Sequence, residues 1–183
     1  YAYTRTNIPK SFRAGIECEG RIALNKWLAL SGNLTLSMNK ISNFNEYYYD
    51  YDSSVERVNV YKKSDISFSP SCIGALNLEW KPSKLNSFSI EAKYVGKQYM
   101  DNTSHEDRII KSYWVADARM DHEIQLKKQR KMTLFLQLNN LISKMYTANG
   151  YTYSYVYGGR LITENYFYPM ATFNLMGGIN LKL

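Results

Sequence analysis

The chain has 183 residues, enough for one domain, with a formal net charge of +7 and an aromatic content of 15% led by 17 Tyr. It contains no run of 18 apolar residues, so a membrane-spanning helix is excluded. Its two cysteines, Cys18 and Cys72, are far apart and have no metal-ligand pattern around them. Despite the positive charge, the basic residues form neither an aromatic-interleaved helix nor a nucleic-acid-binding motif.

In chain order, alternation of apolar and polar residues predicts seven strands: 11–22, 27–43, 67–80, 86–100, 110–125, 131–141 and 168–183. The clearest is WLALSGNLTLSMNKISN at 27–43. Its even positions Leu28, Leu30, Leu34, Leu36 and Met38 are apolar, and its odd positions Ser31, Asn33, Thr35 and Ser37 are polar. Soluble strands usually stop near five or six residues. A strand crossing an outer membrane needs about 9–11, tilted, with one face toward lipid. The other strands share the device. Phe12, Ala14, Ile16 and Cys18 oppose Arg13, Glu17, Glu19 and Arg21; Trp114, Ala116, Ala118, Met120 and Ile124 oppose Asp117, Arg119, Asp121 and Glu123. In the fourth strand Glu91, Lys93 and Lys97 take the charged face, and in the last Phe173, Leu175, Ile179, Leu181 and Leu183 take the apolar one.

The connections alternate in length. Short ones lie at 23–26, 81–85 and 126–130, and long ones at 44–66, 101–109 and 142–167. Aromatic residues gather at strand ends: Trp27 and Trp80 beside short turns, and Tyr94, Tyr99, Tyr113 and Trp114 toward long connections. Amphipathic rings prefer membrane–water interfaces. The pattern predicts an all-β, transmembrane, antiparallel up-and-down barrel wall with periplasmic turns, long loops outside and a periplasmic C-terminus. A soluble sheet packed on one side is the plainer alternative, but its apolar faces would need an amphipathic helix to cover them, and none is encoded.

Five stretches, SFRAGIE (11–17), LSGNLTLSMNKI (30–41), YVGKQYMDNT (94–103), LNNLISKMY (138–146) and ENYFYPMATFNLMGGINLKL (164–183), resemble in this order the C-terminal barrel part of TonB-dependent outer-membrane receptors of the Bacteroidetes type. The resemblance implies a barrel of about 22 strands around an N-terminal plug domain. It implies active, TonB-driven uptake of a scarce large ligand, most often a ferric siderophore, with haem, cobalamin or glycans as other cargoes. Residues 1–183 are then the last third or so of the barrel, and the opening YAYTRTNIPK reads as cut from a longer chain. The partners implied are outer-membrane lipid, the plug and remaining strands, TonB through the absent N-terminal region, and the barrel-assembly machinery. The closing Leu181-Lys182-Leu183 departs from the aromatic ending usual in assembly signals. The rival is a small, self-contained structural or adhesive barrel with residues 1–10 as an eighth strand, which Pro9 makes awkward. A soluble β-sandwich binding module is third.

Candidate binding residues lie in the long connections. One holds Tyr47, Tyr48, Tyr49 and Tyr51, the other Tyr151, Tyr153, Tyr155 and Tyr157. Tyrosine combines a stacking surface with a hydroxyl at small entropic cost. The same alternation in YTYSYVY also fits a two-stranded ribbon whose rings pack across strands. Asp101, Asn102, Thr103, Ser104, His105, Glu106 and Asp107 make a cation site conceivable and a solvated loop commoner. His122 and both cysteines fall on the apolar parity. The charged faces repeat carboxylates two apart with no nucleophile, hydrolase or phosphate-loop motif, which predicts neither catalysis nor a cofactor.

Overall fold

A computed structural model describes Ile8, residues 10–127 and residues 130–182. Twelve strands follow one another: β1 (Ser11–Ala23), β2 (Leu28–Asp50), β3 (Val55–Asp65), β4 (Cys72–Trp80), β5 (Asn86–Val95), β6 (Gln98–Tyr99), β7 (Ile109–Ile110), β8 (Tyr113–Gln125), β9 (Lys131–Asn139), β10 (Thr147–Tyr157), β11 (Arg160–Pro169) and β12 (Asn174–Lys182). Seven of them, β1-β2-β4-β5-β8-β9-β12, form a curled antiparallel wall in sequence order. These are the seven predicted strands. β1 and β12 are its two edges and do not pair with each other.

The registers put like faces together. Leu34 lies opposite Cys18 on β1 and Gly74 on β4, and Leu30 opposite Ile22 and Leu78. Leu30, Leu34, Leu36, Leu76, Leu134 and Leu136 are all exposed, so the wall carries an uncovered apolar face, as the alternation predicts. On the other face Glu19, Arg21, Ser31, Asn77 and Glu91 line one shallow cavity. There Arg21 bonds Glu79 at 2.5 Å, and the Arg119 guanidinium lies 4.4 Å from the Phe135 ring centre. Cys18 and Cys72 are free thiols.

The short connections are closed by side chains. Asn25 Oδ1 accepts the backbone N–H groups of Trp27 and Leu28, and Ser83 Oγ accepts those of Leu85 and Asn86. These are turn residues bonding their own backbone two or three positions on. Trp80 stacks on Phe88 at 5.1 Å, and Lys26 Nζ sits 4.7 Å over Trp27, so an aromatic cluster marks this end of the wall. At the far end Tyr94 faces Trp114 across β5 and β8. Tyr113 does not join them: it packs on Tyr146 at 4.5 Å, on the opposite face. Lys128, Pro9, Leu183 and most of the proposed eighth strand lie outside the described residues.

The long connections differ most from expectation. Segment 44–66 is not a loop. β2 continues to Asp50, turns, and returns as β3, paired from Lys40↔Asp65 to Asp50↔Val55. At 23 residues β2 is about twice the length a membrane crossing needs. Segment 142–167 is likewise largely a hairpin, β10–β11, so the ribbon alternative holds there. Its turn is Gly158-Gly159 with φ of +60° and +73°, the mirror-image turn that fits strand twist and demands glycine. Predicted strand 86–100 ends at Val95, 67–80 begins at Cys72, and the last begins at Asn174. β6 and β7 make a separate two-stranded ribbon within 96–112.

Candidate functional site

The two long hairpins are joined. β10 runs parallel to β2, with Tyr155 beside Tyr49 and Val156 beside Asp50, although four wall strands separate them in sequence. The result is a four-stranded outer sheet, β11-β10-β2-β3, beyond the wall. Its faces are set at Asn43, which sits at φ +56°. Below it the odd residues Asn39 and Ile41 are buried; above it the even residues Glu46 and Asp50 are covered and Tyr47 and Tyr49 are exposed.

The covered face is organised by Arg108, 2% exposed. Its Nη1 donates to Glu46 Oε1 at 2.5 Å and Asp101 Oδ2 at 2.8 Å, and its Nη2 donates to Ser154 Oγ at 2.8 Å. Tyr61 Oη donates to the second oxygen of Glu46 at 2.8 Å. One guanidinium therefore ties β2, β10 and the 96–112 connection together. Burial opposes its charge, but Asp101 and Glu46 outweigh that and hold it protonated. Burial, reinforced by Glu46, pushes the Tyr61 phenol up to about 12. Met100 and Ile110 are buried beside this cluster. A Cβ on Gly150 would meet the Tyr166 carbonyl oxygen at 2.5 Å and Met100 Sδ at 2.9 Å, so close packing of β10 on this segment requires glycine.

Asp101 is thus committed to Arg108 and to Thr103, Asn102 Oδ1 accepts the Ser67 N–H, and Ser104 bonds Asp65. Segment 101–107 is tied down by these bonds. His105 lies 3.6 Å from Asp107 and edge-on to Tyr61 at 6.0 Å.

The opposite face gathers most of the predicted tyrosines. Tyr49 packs on Tyr51 at 4.9 Å, and Tyr51 on Tyr155 at 5.8 Å. Tyr155 stacks on Tyr153, Tyr153 on Tyr166 with planes 8° apart, and Tyr166 on Tyr151 at 4.8 Å and 6°. Tyr151 also approaches Tyr168 at 6.2 Å. The ladder thus crosses from one hairpin to the other. At its centre Glu164 accepts the hydroxyls of Tyr153, Tyr155 and Tyr166 at 2.8, 2.7 and 2.6 Å. Tyr166, Tyr155 and Tyr153 hold this carboxylate below its ordinary range.

Three predicted residues stand apart. Tyr48 points to the Arg108 face and bonds Asn59 at 3.5 Å, while Tyr47 and Tyr157 are exposed and lie outside the ladder. The sequence pattern does not single out Arg108, Glu164 or Asp52. Asp52 accepts the amides of Gly158 and Gly159 at 2.9 and 2.6 Å, fastening the two hairpin tips. Nor does it single out Asn140, whose side chain bonds the backbone of Lys144 and Ala171 and whose backbone N–H donates to Asp117. That clasp gives the LNNLISKMY stretch a structural reason.

A curled antiparallel wall with one apolar and one charged face, short turns at one end and projecting hairpins at the other, is the fold of part of a β-barrel wall. In structure the chain is similar to the siderophore receptor PiuA from Acinetobacter baumannii, with a TM-score of 0.65 and 18% identity over 94% of this chain and 22% of that one. It also aligns with the closed form of the ferric-catecholate import receptor Fiu from E. coli K12, with a TM-score of 0.47 and 15% identity over 97% of this chain and 29% of Fiu. The resemblance to the C-terminal barrel portion of TonB-dependent receptors is borne out at the level of fold. The chain spans less than a third of the length of the receptors it matches. No protein-family profile matches it, and no curated protein matches it in sequence.

Proposed function

We propose that residues 1–183 form the C-terminal wall and outer hairpins of a TonB-dependent outer-membrane receptor that takes up a ferric siderophore or a similar iron or cofactor complex. The observation carrying this reading is the uncovered apolar face opposed by a charged face along strands of 9–13 wall residues, in a fold shared with a siderophore receptor. In this reading the apolar face meets outer-membrane lipid. The charged face meets water and the plug, further strands pair with β1 and β12, and TonB supplies energy through the plug. The short turns with Lys26, Lys81, Lys84, Lys127, Arg130 and Lys131 lie in the periplasm, as does the C-terminus. The long hairpins stand outside. A self-contained barrel is disfavoured because β1 and β12 each leave an edge unpaired among the described residues.

The tyrosines of the outer sheet are the proposed ligand contacts. Each lost aromatic contact is worth about 0.5–1.5 kcal/mol beyond area burial, so several together weaken binding at least about tenfold. Replacing Tyr151, Tyr153, Tyr155 and Tyr157 with Ser in the full-length receptor is expected to lower whole-cell affinity for ferric siderophore while surface abundance stays the same. An unchanged affinity removes these residues from the site. A collapse in abundance assigns them to hairpin packing alone.

A further inference from the structure

The two ends of the wall differ in charge. The short connections 23–26, 81–85 and 126–130 hold six cations, Lys26, Lys81, Lys84, Lys127, Lys128 and Arg130, and no carboxylate. The long segments 44–66, 101–109 and 142–167 hold nine carboxylates against six cations. Most of the chain's positive excess thus lies at the short-turn rim, and the opposite end is acidic. We propose that this rim is a docking surface for anionic phospholipid. Lys26, Lys84, Lys127 and Arg130 take headgroup phosphates, and the acyl chains lie on the apolar face behind them. The inference rests on the reading that this face meets lipid, and goes beyond it by naming the lipid.

The fold itself does not call for these cations. Two of the turns are closed by Asn25 and Ser83. Two carboxylates beside the turns are already engaged: Glu79 holds Lys81 and Arg21, and Glu123 holds Lys131. Lys26, Lys84, Lys127 and Arg130 are exposed and make no ion pair among the described residues. At the same rim Lys182 lies directly opposite Lys131 across β12 and β9, a like-charge pairing that costs stability unless an anion joins it. The layering along β4 fits a lipid. Leu76 and Leu78 are followed on the same face by Trp80, stacked on Phe88, and then by Lys81 in the turn. Hydrocarbon, interface and headgroup come in that order in a leaflet. Lysine meets a phosphate as a point charge, and arginine adds a planar fork of donors. A small soluble anion would answer the charge and leave the adjoining apolar surface bare. A phospholipid answers both.

The test uses the full-length receptor folded into phosphatidylcholine vesicles that contain a trace of spin-labelled phosphatidylglycerol or spin-labelled phosphatidylcholine. Electron spin resonance reads the fraction of each lipid whose chain motion the protein restricts. The expected result is an association of phosphatidylglycerol at least about fivefold above that of phosphatidylcholine, the gain from a single lysine at an anionic surface. The preference should shrink as salt rises, because headgroup and cation meet in water. Replacing Lys26, Lys84, Lys127 and Arg130 with Gln should abolish it. Replacing Lys62, Lys63 and Arg160 with Gln, at the opposite end, should leave it intact. Heat-modifiable gel migration identifies the folded variants. A restricted shell that forms equally with both lipids overturns this inference and leaves the membrane reading standing. So does a preference that survives the rim replacements, or one lost equally in the opposite-end variant. Folded protein that restricts neither lipid overturns the membrane reading as well.

Discussion

Arg108 shows how much one side chain settles in the outer sheet. Its guanidinium is buried between Glu46 and Asp101, with Ser154 completing the set. Removing one member of such a buried ion group costs about 3–5 kcal/mol, because the remaining charges stay desolvated without a partner. Arg108→Ala is therefore expected to raise amide hydrogen exchange across 44–61 and 150–166 and to leave the wall strands protected. Unchanged exchange in both hairpins would show that Arg108 does not tie them. Asp50 sets a pH limit on the same region. Burial raises its pKa, but bonds from Ser53, Arg57 and Asp52 outweigh that, and its carboxyl ends below the ordinary value. A lowered carboxylate stabilises the fold fully above its unfolded pKa, about 3.9, and loses that contribution as pH falls through the folded value. The 50–57 turn should then stay ordered at pH 5 and loosen only in stronger acid, as read from exchange of the Asp52 and Ser53 amides. Loosening already between pH 6 and 5 would contradict this assignment.

Each wall strand sorts its residues by parity, and that parity carries a measurable asymmetry. Leu34 is exposed on the apolar face of β2, and Thr35 points the other way. A charge at the lipid midplane costs about 2–4 kcal/mol, less on the lumen side. Leu34→Arg should impair barrel assembly far more than Thr35→Arg, and equal folding yields in liposomes would refute the facing. The same period of two made the seven wall strands legible in the sequence, in order and mostly within a few residues. The outer strands were harder. EYYYDYD offers no apolar alternation, so 44–66 read as a loop although Val58 and Val60 alternate with Arg57 and Asn59 in the return strand. In 151–157 the alternation was visible, and Gly158-Gly159 marks its turn. Period two also separates Tyr48 from Tyr47, Tyr49 and Tyr51, a division that residue type alone hid. Arg108 and Asp52 were not legible, because their partners lie up to 107 residues away, and Glu164 was not, because its tyrosines meet it only once the hairpin register is set.

Among the described residues the molecule is a wall whose edges β1 and β12 are unpaired on one side, with a head that is joined across the top. The unpaired backbone of β1 and β12 is not tolerated in hydrocarbon. Residues 1–183 expressed alone should give no heat-modifiable closed monomer, and a monodisperse folded one would favour the self-contained barrel. The head behaves differently from the wall. Asp52 at one hairpin tip grips the backbone of Gly158 and Gly159 at the other, so neither tip has an independent shape. To a surface-binding antibody, residues 50–54 and 157–160 are a single discontinuous epitope that no linear peptide reproduces. Lengthening either turn breaks the grip, and grafting one hairpin onto a foreign barrel transfers only half of the surface.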